Sequence, residues 1–192
     1  MTSLEGRTEA PGSSENELIV RAQQGEAAAF AALYDRFAGR VYRHIVYRIG
    51  NRHDAEDLTQ QTLINAWRAI GRYRITEVPF FAWLVTIAQN LVATYARRNR
   101  GHEFEPLEPD PPFFDPDPEP AELAERSFTQ ETVRRVVARL PNEQQQVVVM
   151  RYLDGLDYAV IARALGKTEN NVRVIAHRAL KRLQGLLSET DE

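Results

Sequence analysis

The sequence predicts an all-α protein built from two small helical domains, and three observations predict it. Apolar residues recur at three-to-four spacing in both halves of the chain, which is helical rather than strand periodicity. Seven of the ten prolines, Pro106, Pro109, Pro111, Pro112, Pro116, Pro118 and Pro120, crowd into one central tract, where fixed φ and missing amide donors forbid a helix. The whole chain has 192 residues, 43% of them hydrophobic, which is enough for one large core or two small ones. The expected division is a disordered N-terminus over 1–15, a first domain over 16–100, an acidic Pro-rich linker over 101–125, a second domain over 126–188 and a tail over 189–192.

In the first domain, Leu18, Ala22, Phe30, Leu33, Tyr34 and Phe37 make one amphipathic stretch, and Val41, Ile45, Val46 and Ile49 continue it until Gly50-Asn51 ends the run. A third helix is expected from about Asp54 to Ile70, with Asp54, Glu56 and Asp57 in the first turn, where the helix dipole favours negative charge. Gly71 closes it. After a loop from Arg72 to Val78, Pro79 suits a first helical position, and Phe80, Trp83, Leu84, Ile87, Leu91 and Tyr95 stripe a long fourth helix ending in Arg97, Arg98 and Arg100. Trp67 and Trp83 both fall on apolar stripes and are expected in the core. In the second domain, Phe128 to Leu140 forms one helix, and Pro141 opens another that runs to about Leu153, before Asp154-Gly155. Two shorter helices follow: Asp157 can cap the first, Gly166 separates them, and Thr168 can cap the second, which continues through Leu187.

Several chemistries are disfavoured by composition. The chain has no cysteine, so thiol catalysis, disulfides and thiolate metal sites are absent. Its four histidines, His44, His53, His102 and His177, include no pair at metal-ligand spacing, and no phosphate-cradling glycine loop or nucleophile signature occurs. Neither enzyme, metal nor cofactor is therefore expected. Met1 to Asn16 is polar and no long apolar run exists, so a soluble intracellular protein without membrane insertion is expected.

The net charge of −3 hides a segregation. Nine acidic residues lie between Arg100 and Arg126, where no Lys or Arg occurs, and the rest of the chain carries a net +6. Of the 24 basic residues 22 are Arg, the side chain best shaped for forked contacts to phosphate and guanine. Twenty positions counted from Tyr158 place Ala162 fifth, Gly166 ninth and Val172 fifteenth, where a helix-turn-helix needs a small residue, a turn residue and a buried branched one. Lys167 stands where an apolar residue is more usual. On the second helix Val172, Ile175, Ala176, Ala179 and Leu183 form the inner stripe, leaving Asn170, Asn171, Arg173, Val174, His177, Arg178 and Lys181 outward. Asn and Arg can read base edges, Val174 can touch a thymine methyl, and Arg178 and Lys181 can neutralise phosphates. The plainer alternative is a solvated basic face.

Read together, these segments resemble the extracytoplasmic-function (ECF) sigma factors of bacterial RNA polymerase, from about Glu17 to Leu187. The likeness rests on Asp54-Ala55-Glu56-Asp57-Leu58-Thr59-Gln60-Gln61 with Ala66-Trp67-Arg68, on Phe81-Ala82-Trp83-Leu84 with Ile87-Ala88-Gln89-Asn90-Leu91 and Arg97-Arg98, and on Leu140-Pro141, Arg151-Tyr152-Leu153-Asp154-Gly155-Leu156, Ile161-Ala162, Leu165-Gly166 and His177-Arg178-Ala179. The resemblance implies a sigma-2-like helical bundle and a sigma-4-like helix-turn-helix domain, and a function in promoter recognition, DNA melting and transcription initiation with core polymerase (beta and beta-prime subunits).

On the third helix Asp57, Gln60, Gln61, Ile64 and Arg68 form an outward strip suited to a protein partner. With Asp54, they are what the resemblance assigns to the polymerase clamp. The same resemblance makes the loop from Arg72 to Phe80, with Tyr73 and Arg74, the trap for an unstacked base of the minus-10 element. Asn90 would read that element, and Arg97, Arg98 and Arg100 would hold its phosphates. Arg151, Thr168, Asn170, Asn171, Arg173, Val174, His177, Arg178 and Lys181 would meet the minus-35 element. Val174-Ile175 departs from the family's more polar pattern and shifts the expected minus-35 readout toward backbone contacts and DNA shape. An anti-sigma protein wedged between the domains is a further implication, and the acidic residues 102–125 read either as a mimic of RNA phosphates or as a plain soluble spacer. The competing reading is a helix-turn-helix regulator that binds its operator as a dimer without polymerase.

Overall fold

A computed structural model describes residues 14–76, 78–98 and 132–188. Arg100, the linker over 101–125, the start of the helix expected from Phe128, the segment 1–13 and the tail over 189–192 lie outside the described residues. Among the described residues every regular element is helical. They form α1 (Glu15–Gln23), α2 (Ala27–Ile49), α3 (Arg52–Ala69), a 3₁₀ turn (Ile70–Arg72), α4 (Phe80–Arg98), α5 (helical over 132–138), α6 (Asn142–Val148), a π-helical turn (Val149–Leu153), α7 (Tyr158–Leu165) and α8 (Glu169–Ser188). None of these helices is long and apolar enough to cross a membrane.

The first apolar stretch is two helices rather than one. Gly25 adopts φ +91°, a conformation that side-chain-bearing residues avoid, and it reverses the chain between α1 and α2. Ser14 and Glu17 close a capping box at the start of α1, satisfying two otherwise orphaned amides. α2 ends as its sequence predicts, on Gly50 at φ +74°. α3 begins earlier than the carboxylates suggest, because the Asn51 side chain accepts from the Asp54 amide at 2.9 Å and caps the helix.

The N-terminal core is formed where α2 packs on α1, α3 and α4. Ile19, Leu33, Val41, Ile45, Leu84 and Val85 have at most 1% of their surface exposed, and each large aliphatic buried this way contributes about 1.5–3 kcal/mol. Phe37 and Tyr73 each meet the Phe80 ring edge-to-face in this core, with centroids 5.5 and 5.2 Å away, while Trp83 lies 5.3 Å from Phe80. Trp67 packs against Phe30 at 4.8 Å. Both tryptophans are thus half-buried packing groups, in keeping with their place on apolar stripes.

In the C-terminal half α8 packs on α6 and α7 through Val172, Ile175, Ala176 and Ala179, all buried. The helix expected from Pro141 to Leu153 is α-helical only to Val148; the last five residues widen into a π turn. That extra residue per turn carries Met150 into the core and swings Asp154 inward. Gly166 at φ +62° ends α7, and Thr168 caps α8 by accepting from the Asn171 amide at 3.2 Å. Asp157 occupies the N-cap position of α7 but makes no side-chain capping bond; its carboxylate lies 3.4 Å from Arg151 Nη1 instead.

The two halves touch. α2 meets the π turn and α4 meets α7, so the buried apolar residues of both halves join in one cluster. Periodicity and composition show nothing of this contact, because each half already has a complete amphipathic pattern of its own.

Candidate functional site

Three exposed faces carry the residues singled out by sequence. On α3, Asp57, Gln60, Gln61, Ile64 and Arg68 are all exposed, with Ile64 at 46%, and their spacing of three and four aligns them along one side of the helix. Leu63, Ala66 and Ile70 are buried behind them. Asp54 belongs to a different environment. It is half-buried and accepts a hydrogen bond from the Tyr95 hydroxyl at 2.6 Å, which ties the start of α3 to the end of α4.

The second face joins the loop after α3 to the outer side of α4. Arg72 and Arg74 are exposed at its base, but Tyr73 and Phe80 are buried, at 8% and 1% exposure. These two rings therefore cannot meet a base as they stand. Aromatic rings at a loop's ends fit a trap and a core equally well in sequence, and the core takes them because Phe37 and Trp83 supply ring neighbours on both sides. What they do is hold the loop: Tyr73 donates from its hydroxyl to the Val78 carbonyl at 3.0 Å. Gln23 on α1, which no sequence pattern flagged, donates from Nε2 to the Ile70 and Tyr73 carbonyls at 3.0 and 2.7 Å. Only a long-range contact reveals that role. Asn90, Arg97 and Arg98 are exposed on α4, and Arg97 donates to the Thr94 hydroxyl at 3.1 Å.

The third face is the outer side of α8. Asn170, Asn171, Arg173, Val174, His177, Arg178 and Lys181 are exposed together, and Thr168 lies exposed at the N-terminal end. Arg173 pairs with Glu169 one turn earlier and places its guanidinium 4.5 Å from the Tyr158 ring centroid. Arg151 approaches the same ring at 4.9 Å while donating to the Leu156 carbonyl at 3.0 Å. Tyr158 thus organises two guanidinium groups beside the turn, a detail outside the sequence pattern. Lys167, the one polar intruder in the turn, pairs with Glu143 of α6 at 2.6 Å, so its charge staples the motif to its scaffold.

A cleft of about 700 Å³ is lined by Arg48, Asn90 and Arg97 from α2 and α4 and by Leu140, Asn142 and Gln145 at the start of α6. Arg48 donates to the Asn142 side chain at 2.6 Å and to the Gln145 side chain at 3.2 Å. Desolvation pulls the pKa of its guanidinium down to about 10, partly offset by the field of Asp154.

An exposed strip of mixed polar and aliphatic residues and two faces carrying Arg and Asn, one on a helix-turn-helix, suit a protein that holds both a polypeptide partner and DNA. Residues 33–102 match the family described as Sigma-70 region 2, and residues 130–183 match Sigma-70, region 4. The chain is 39% identical over 180 residues to the ECF RNA polymerase sigma factor BldN of Streptomyces coelicolor, a match covering 90% of this chain but 66% of BldN, just under two thirds of that protein's length. It is 30% identical over 189 residues to the RNA polymerase sigma-H factor of Pseudomonas aeruginosa, covering 91% of this chain and 96% of that one. The fold matches that of the sigma factor RpoE solved with the anti-sigma factor NepR from Bartonella quintana, with a TM-score of 0.67 at 20% identity over 83% of this chain and 96% of that one. The chain belongs to the ECF group of the sigma-70 family of RNA polymerase sigma factors.

Proposed function

We propose that this chain binds core RNA polymerase and gives it promoter specificity, directing recognition, local melting and initiation while itself making or breaking no covalent bond. The observation that carries the reading is the pairing of the α3 strip with the outer face of α8, two exposed surfaces of different chemistry on one helical scaffold. Asp57, Gln60, Gln61, Ile64 and Arg68 engage polymerase, with Asp54 bracing them. Arg72, Arg74, Asn90, Arg97 and Arg98 serve the minus-10 element together with Arg100, on a loop that Tyr73 and Phe80 hold in place. The outer face of α8, from Thr168 and Asn170 to Lys181, serves the minus-35 element, and Arg151 stiffens its base. The protein works in the cytoplasm, where the polymerase is. Its restraint falls to an anti-sigma protein, a reading supported by its likeness in fold to RpoE of Bartonella quintana, which was solved in complex with the anti-sigma factor NepR.

Gel filtration with core polymerase, followed by run-off transcription over a genomic fragment library, tests this. Co-elution and new promoter-specific transcripts are expected. Failure to co-elute, or a complex that starts no transcripts, refutes the reading.

A further inference from the structure

The loop that joins α3 to α4 is pinned at both ends in the free chain. At its start, Gln23 Nε2 donates one hydrogen to the Ile70 carbonyl at 3.0 Å and the other to the Tyr73 carbonyl at 2.7 Å. The Tyr73 amide closes the turn between them by donating to the Ile70 carbonyl at 3.0 Å. At the far end the Tyr73 hydroxyl donates to the Val78 carbonyl at 3.0 Å, and the Val78 amide donates to Thr76 Oγ1 at 3.2 Å. The rings of Phe80 and Trp83 hold Tyr73 itself, with centroids 5.2 and 5.1 Å away. Between the pins, Arg74, Ile75 and Thr76 stand exposed.

Gln23 is the last residue of α1, separated from its two acceptors by 47 and 50 positions. Its helix is a firm base, because Leu18, Ile19 and Ala22 are buried where α1 packs on α2. The Tyr73 carbonyl lies beyond the end of the 3₁₀ turn and has no helical partner, so Gln23 supplies the donor that this part of the backbone needs.

We infer that Gln23 is a positioning residue for base capture: it keeps the loop in its receiving form and so presents Ile75, with Arg72 and Arg74, to the unstacked base. The inference rests on the base-trapping loop of the promoter-binding function proposed above. An unstacked base needs an apolar surface in place of its lost neighbours, and cations for the adjoining phosphates. Tyr73 and Phe80 are withdrawn from the first task at 8% and 1% exposure, whereas Ile75 is 43% exposed. Arg72 and Arg74 are exposed on either side of the residue whose carbonyl Gln23 holds. A loop already held in its bound form gives up little backbone freedom on capture, so less of the contact energy is lost to ordering it. Gln23 acts on the base only through the two carbonyls.

The test uses core polymerase reconstituted with the full chain. Single-stranded minus-10 oligonucleotides, intact or made abasic at one position at a time, are titrated by fluorescence anisotropy. The wild type should lose affinity at one position when that base is missing. Gln23→Glu keeps the size of the side chain but only accepts hydrogen bonds, and Gln23→Met is neutral and donates none. Each should weaken the intact oligonucleotide by on the order of tenfold and abolish the abasic penalty at that position. Gln23→Lys restores donors for both carbonyls and should keep affinity and penalty near wild type. Amide hydrogen exchange across residues 70–78 should speed up in Gln23→Glu and Gln23→Met. In Ile75→Ser it should stay slow while the abasic penalty is lost, which separates contact from positioning. A wild-type penalty in Gln23→Glu or Gln23→Met, or an equal loss in Gln23→Lys, overturns the proposal. If the wild type shows no abasic penalty at any position, the base-trapping reading fails instead, and hydrogen exchange still decides whether Gln23 pins the loop.

Discussion

Phe80 separates two readings of the same residue. The family resemblance places it at the end of a base-trapping loop, whereas the fold buries it to 1% exposure with Phe37, Tyr73 and Trp83 at centroid distances of 5.5, 5.2 and 5.3 Å. Replacing a buried Phe by Ala costs about 3–5 kcal/mol through lost transfer energy and the residual cavity. With a urea m-value of about 2 kcal/mol/M for a domain of this size, Phe80→Ala should lower the unfolding midpoint by ~2 M. Trp83 beside it makes tryptophan fluorescence a direct probe of the transition. Arg74→Ala, on the exposed part of the same loop, should leave the midpoint nearly unchanged, within about 0.5 kcal/mol, and should weaken binding of single-stranded minus-10 DNA by polymerase holoenzyme. If Phe80→Ala unfolds at the wild-type urea concentration yet abolishes that binding, the ring contacts DNA and its packing role is refuted.

Other substitutions test the remaining surfaces. Ile64→Asp puts a charge in the middle of the α3 strip and should weaken core-polymerase binding by about 1–3 kcal/mol, measured by fluorescence anisotropy, without a shift in melting temperature. Arg173→Ala should relax base preference at one minus-35 position, costing about 1–3 kcal/mol in holoenzyme binding across a promoter library; uniform loss over all sequences would reassign it to phosphate. Lys181→Ala should weaken binding evenly across that library and reduce the salt slope by about one. Asn51→Ala removes the α3 cap and should cost about 1 kcal/mol in urea unfolding.

Local patterns carried much of what the molecule is. The helical class, the ends of α2 and α7 at Gly50 and Gly166, the Thr168 cap and the inward stripe of α8 all depend on neighbours within one or two turns, so sequence by itself determined them. The outward faces of α3 and α8 followed from the same periodicity, since a helix whose inner side is known has its outer side decided too. The exceptions were also local in kind but hidden. Gly25 breaks the first stretch because its φ is positive, and a glycine within an amphipathic run does not announce its dihedral.

Only tertiary structure decided which of several chemically suitable groups are occupied by other parts of the chain. Tyr73 and Phe80 went to the core, Asp54 to the Tyr95 hydroxyl, and Asp157 to Arg151 rather than its helix cap. The contact of His44 with Asp154 lies beyond any pattern in the sequence, because a histidine on a helix and an aspartate after a turn become partners only when 110 intervening positions are folded. Periodicity reports which side of a helix leaves water; the identity of what covers that side is set by the geometry of the whole chain.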